Sequence, residues 1–112
     1  MKHPGFGHWL VQRISAVFLA LVTLALALFF ATSPPASYAE WTRVVGHPAV
    51  AVTLALYLGV MLLHAWVGVQ DIVVDYIKPI LLRLTALSIA AFLLLACGVW
   101  GASVFFSVVI QP

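Results

Sequence analysis

The sequence predicts an all-α membrane protein with three transmembrane helices, and three observations carry that expectation. Hydrophobic residues fill 65% of the 112 positions and charged ones 7%, with a mean hydropathy of +1.20. Three long stretches, Ile14–Ala39, Val44–Gln70 and Leu84–Pro112, contain no Asp, Glu, Lys or Arg. Each exceeds the roughly 20 helical residues that cross a ~30 Å hydrocarbon core. In lipid every backbone donor and acceptor must be paired within its own segment, which leaves helices as the spanning structure for so short a chain.

The same figures exclude other classes. A soluble domain carries about a quarter charged residues, whereas this chain has five basic and three acidic ones. The net charge of +2 is small and scattered, without the clustered basic face that nucleic acid requires. Cys97 is the single cysteine, so an intrachain disulfide or a thiolate metal site is ruled out.

A single domain over residues 1–112 is expected, with helices at roughly 10–32, 48–74 and 81–109. The first helix stops before Thr32-Ser33-Pro34-Pro35, because consecutive prolines remove backbone donors and clash with the preceding turn. A loop then runs through Trp41 to Gly46-His47, and Pro48 suits the first turn of the second helix. The second connection is short and centres on Asp75-Tyr76-Ile77-Lys78-Pro79. Small residues recur at Ala16, Ala20, Thr23 and Ala27 in the first helix and at Ala86, Ala90, Gly98 and Ala102 in the third. Such spacing lets helices approach closely in lipid.

Orientation follows from the basic residues. Lys2, Arg13, Lys78 and Arg83 fall on one side against Arg43 on the other, so the positive-inside rule puts the N-terminus and the second connection in the cytoplasm. Ser37-Tyr38-Ala39 has the small-x-small form of a signal-peptide cleavage site, but the preceding apolar run is longer than the usual ~7–15 residue core. A retained segment is expected, with no removed transit peptide, which favours a bacterial inner membrane.

Chemistry concentrates between Leu63 and Pro79. At about 100° per residue, His64, Gly68, Asp71 and Asp75 share one helix face, continued by Tyr57 and Met61. A rise of ~1.5 Å per residue sets His64 about 16 Å from the level of Asp75, within the hydrocarbon. An ionisable side chain at that depth is costly unpaired and is a functional candidate. One reading is a neutral imidazole hydrogen-bonded to a neighbouring helix. The other is an axial haem ligand, with Gly68 leaving room for the porphyrin and the second ligand supplied by another subunit. His3, His8 and His47 lie at or beyond the membrane boundary.

Asp75 and Tyr76 fall at the cytoplasmic interface. Tyr76 reads either as an aromatic-belt anchor or as a phenol that hydrogen-bonds a quinone carbonyl, with Asp75 as a solvated carboxylate or as the group that tunes the phenol. Arg13 reads as a snorkelling anchor or as a guanidinium paired with a buried anion such as a haem propionate; His8 is placed to join that polar end. Lys78 and Arg83 read as positive-inside charges, free to meet a carboxylate on a soluble partner.

The run Leu63-His64-Ala65-Trp66-Val67-Gly68, with Asp75-Tyr76-Ile77-Lys78-Pro79 and Leu82-Arg83-Leu84 after it, resembles the hydrophobic membrane-anchor subunits of bacterial succinate dehydrogenase (succinate:quinone oxidoreductase, complex II). Trp9-Leu10-Val11-Gln12-Arg13-Ile14-Ser15-Ala16 fits the start of their first helix. The resemblance implies a b-type haem shared with a second haem-ligating membrane anchor, His64 as this chain's iron ligand and Arg13 near the propionates. It implies ubiquinone beside Tyr76 and Asp75, and a flavoprotein and an iron–sulfur subunit as further partners. Succinate chemistry is not expected in this chain itself, and no catalytic residue is assigned to it. Two other classes stay open: an anchor of fumarate reductase or another quinone-linked dehydrogenase, and a small membrane protein without redox function.

Overall fold

The computed structural model describes residues 6–110; Lys2, His3 and the closing Gln111-Pro112 lie outside them. Four helices follow one another: α1 (Phe6–Thr32), α2 (Tyr38–Gly46), α3 (Pro48–Tyr76) and α4 (Ile80–Val109). The three long ones have the length and hydropathy to cross a membrane, so the expected spans are present. α1 begins four residues before its expected start, and α3 runs two residues past its expected end.

The connection after α1 differs from the irregular loop expected of it. It contains α2, nine residues long. Ser37 is its N-cap: the side chain accepts a hydrogen bond from the Glu40 backbone N–H at 3.2 Å, and the Glu40 carboxylate accepts from the Ala36 N–H at 3.0 Å. Glu40 in the first turn and Arg43 in the last oppose the two poles of the helix dipole. Val45 is buried, and Trp41 packs on Phe30 of α1 with ring centroids 5.5 Å apart. The prolines end α1 as expected; the Ser-x-x-Glu spacing then starts a new helix.

The other ends are also closed by local chemistry. The His47 side chain caps α3, its Nδ1 accepting from the Ala49 N–H at 3.2 Å, with Pro48 in the first turn. Arg83, in the first turn of α4, reaches back to α3: its Nε donates to Ile77 O at 3.1 Å and an Nη to Val74 O at 3.3 Å. These carbonyls belong to the last turn of α3 and its cap, where the helix supplies no further N–H to donate to them. Arg83, read from sequence as a positive-inside charge able to meet a partner carboxylate, also makes these two hydrogen bonds within the chain.

α3 packs against α1 on one side and α4 on the other, and α2 lies against α3 and α4; α1 and α4 do not pack together among the described residues. The three long helices therefore form an open layer with α3 in the middle. Its buried apolar residues are Val45 of α2 and Ala51, Val67 and Val73 of α3, and α4 buries none. The α1 stripe turned toward α3 is His8, Gln12, Ser15, Phe18, Val22, Leu26 and Phe30. Ala16, Ala20 and Ala27 stay exposed, so that run of small residues is not the α1–α3 seam.

On α4 the close approach is made at Gly98 and Gly101. A Cβ at Gly98 would stand 2.8 Å from Leu62 Cδ1 of α3, and one at Gly101 would stand 3.5 Å from Leu58 Cδ2. Small residues at such a seam let dispersion forces do the work that hydrophobicity does in water. Gly98→Val is expected to lower the unfolding free energy in mixed micelles titrated with SDS by ~1–3 kcal/mol through overpacking. Gly59→Val, a site with nothing within 4 Å, carries the same change in helix propensity and is expected to stay within ~0.5 kcal/mol.

Candidate functional site

The seam between α1 and α3 carries a ladder of polar contacts whose residue numbers run in opposite directions, as two antiparallel helices require. Thr23 Oγ1 meets Tyr57 Oη at 2.5 Å, Ser15 Oγ meets His64 Nδ1 at 2.8 Å, and His8 Nε2 meets Asp71 Oδ1 at 2.8 Å. Between the last two, the Gln12 amide lies over Gly68: a Cβ there would be 3.6 Å from Gln12 Nε2. The room that Gly68 leaves is thus bounded by Gln12, and an alanine would make ordinary van der Waals contact.

His64 is the deepest rung with an ionisable group. Its partner Ser15 is 4% exposed and is the buried polar residue among the described ones. Ser15 Oγ also donates to the Gln12 backbone carbonyl at 3.1 Å, one turn back on its own helix. His64 Nε2 makes no hydrogen bond among the described residues, and it is not enclosed, since the enclosed side-chain polar atom without a partner is Gln12 Oε1. The imidazole is therefore held by one nitrogen, and the other is not fully enclosed by the described residues. His64 is hydrogen-bonded to a neighbouring helix, as the first of its two sequence readings expects.

Toward the ends of α1 and α3 nearest the α3–α4 connection, the seam opens into a cavity of about 540 Å³. His8, Gln12 and Arg13 of α1 line it with Gln70, Asp71 and Asp75 of α3. His8 and Asp71 are 37% and 50% exposed, so their contact is solvent-screened and worth little stability by itself. The Arg13 guanidinium stacks over the Trp9 ring, 5.6 Å from its centroid, and makes no ion pair among the described residues. Arg13 and Asp75 thus come to one cavity, and His8 joins them. Tyr76, the last residue of α3, lies outside it and is 80% exposed. Among the described residues no three His, Cys, Asp or Glu side chains come together to hold a metal ion alone.

Sequence reasoning did not pick out Ser15, Gln12 or the His8–Asp71 pair. A signal was there: His8, Gln12 and Ser15 stand four and three apart on a helix otherwise apolar on that side, the spacing of one face.

Fold and site together define a class, a three-span membrane protein with a histidine in the middle part of its central long helix and polar groups gathered at one end. The family described as succinate dehydrogenase/fumarate reductase transmembrane subunit matches residues 1–101, and the chain belongs to it. It is similar to the succinate dehydrogenase hydrophobic membrane anchor subunit of Coxiella burnetii, at 29% identity over 97 residues, 87% of this chain and 84% of that one. The subunit of the same name from Rickettsia felis is 30% identical over 88 residues, 79% of this chain and 73% of that one.

The hydrogen bonds from Arg83 hold the turn that follows Tyr76. Arg83→Ala is expected to speed backbone amide exchange around Ile77 by about tenfold, since two hydrogen bonds from a charged donor are worth at least ~1.4 kcal/mol locally. Unchanged exchange by mass spectrometry would show that the turn stands without them.

Proposed function

We propose that this chain is a membrane anchor of a succinate:quinone oxidoreductase in the bacterial inner membrane, with its N-terminus and α3–α4 connection cytoplasmic. In this reading it supplies half of a b-type haem site and part of a ubiquinone site. The observation that carries it is His64, fixed through Nδ1 with Nε2 unpartnered among the described residues and not fully enclosed by them. A histidine present only for packing has no need of a free ring nitrogen in lipid, where an unpaired polar atom is costly.

The donor set fits a haem shared between chains and not one held by this chain alone. His64 would hold the haem iron through Nε2, together with a histidine of a second anchor subunit. Arg13, at the rim of the polar cavity and without a carboxylate partner among the described residues, has the fork geometry that binds propionates. Bound there, the haem supplies a one-electron reservoir near the path from an iron–sulfur cluster to the quinone.

Ubiquinone reduction takes two electrons and two protons. The electrons would come one at a time from an iron–sulfur subunit, which takes them from a flavoprotein subunit that oxidises succinate. Tyr76, exposed at the end of α3, would lie at the cytoplasmic membrane surface, suited to donate a hydrogen bond to a quinone carbonyl and to stabilise negative charge as it develops on that oxygen. Asp75, one residue before it, faces the polar cavity and is suited to pass protons from cytoplasmic water. The second anchor and the iron–sulfur subunit would complete the pocket, since Tyr76 has no wall of its own chain over it. The family covers fumarate reductases as well; the two similar subunits above bear the name of succinate dehydrogenase.

Two substitutions test the reading in the intact complex. His64→Leu is expected to abolish or strongly reduce the dithionite-reduced b-type Soret and α bands while the soluble subunits still assemble; a full haem complement in that variant would contradict the assignment. Tyr76→Phe is expected to cut succinate:quinone activity by about 10²-fold or more, the scale of removing one preorganised donor, while succinate reduction of an artificial dye stays largely intact. Equal losses in both assays would count against the quinone site.

A further inference from the structure

We propose that Ser15 is a positioning residue for His64, fixing the tautomer and ring plane in which Nε2 offers a lone pair. The proposal rests on the haem reading above and extends it to α1, for which that reading has no part in iron ligation.

The number of protons available to Ser15 and His64 decides the tautomer. A serine hydroxyl has one proton and accepts through its lone pairs. Ser15 Oγ stands 3.1 Å from Gln12 O, which can only accept, and 2.8 Å from His64 Nδ1. If the hydroxyl proton points to Gln12 O, then Nδ1 must carry the ring proton and donate it to Oγ, and both contacts are hydrogen bonds. If the hydroxyl points to Nδ1, the contact to Gln12 O is lost and Nε2 carries a proton with no acceptor. The first arrangement makes two bonds and the second makes one. It follows that the favoured neutral tautomer is Nδ1–H, with the lone pair on Nε2. That is the form that ligates iron through Nε2.

Burial makes the arrangement rigid. Ser15 is 4% exposed, so its hydroxyl has no competing partner in lipid or water, and its back-bond to Gln12 O holds the side chain to the axis of α1. The chain from the Gln12 carbonyl through Ser15 to His64 therefore ties the ring to the backbone of a different helix. A hydrogen bond at the distal nitrogen both orients a ligating histidine and makes it a stronger donor. A stronger donor favours ferric over ferrous iron.

The test compares Ser15→Ala, Ser15→Thr and Ser15→Cys in the purified complex, by redox titration of the haem and low-temperature EPR of its oxidised form. Ser15→Ala is expected to weaken ferric relative to ferrous ligation by about tenfold, the low end for losing an outer-shell partner. That raises the midpoint potential by about 59 mV for a one-electron couple, with a shifted low-spin gmax as the ring loosens. Ser15→Thr keeps the hydroxyl and is expected to restore both values, and Ser15→Cys, a weaker acceptor, to fall between. If Ser15→Ala does not assemble, the Cys and Thr variants decide. Potential and gmax unchanged in Ala, or in Cys where Ala is lost, would overturn the proposal, and so would equal shifts in Thr and Ala. Absence of b-type bands from the unaltered complex would instead overturn the haem reading, and this proposal with it.

Discussion

Everything in this chain depends on α3 being the long helix that touches both others. Among the described residues α1 and α4 sit on its two sides without meeting, so polar groups are buried between pairs of helices and not in a three-helix interior. Two seams result, and they solve different problems. The α3–α4 seam is apolar and is drawn tight at Gly98 and Gly101 beneath Leu62 and Leu58. The α1–α3 seam is polar, and its rungs match side chain to side chain, as a medium without water demands.

The polar seam is satisfied in part, and the unsatisfied part is informative. Thr23 with Tyr57, and Ser15 with His64, pair groups that would otherwise face hydrocarbon. Beside them, His64 Nε2 and Gln12 Oε1 have no partner among the described residues, and the Tyr76 ring is almost wholly uncovered. Native proteins pair the great majority of such groups. An open layer with unpaired donors and acceptors on one seam is the form expected of a subunit finished by its neighbours, and it agrees with membership of a family of multi-subunit membrane enzymes.

The spans were legible because a long run without charge is a one-dimensional property that needs no knowledge of neighbours. His64 stood out for the same reason, as the histidine deep within such a run. α2 was not read, because Pro34-Pro35 dominated the connection, although Ser37 and Glu40 at cap spacing announce a helix start. Ser15 was invisible as a partner of His64. The two are 49 positions apart, and their contact depends on how α1 slides along α3, which periodicity does not fix. Arg83 illustrates the same limit. Its count among the basic residues bears on orientation, but its two hydrogen bonds to the end of α3 exist only once the Ile77-Lys78-Pro79 turn has folded. Gly68 was read as room for a cofactor, and the register of the seam puts the Gln12 amide beside it.

The central claim is that this layer is one part of a larger assembly, and native mass spectrometry of the chain purified gently from its own membranes tests it most directly. The account predicts a single stoichiometric complex containing one further apolar subunit, a flavin-bearing subunit and an iron–sulfur subunit, with one haem mass. Recovery of the chain as a monomer or as a homo-oligomer, with no soluble redox subunits attached, would contradict it.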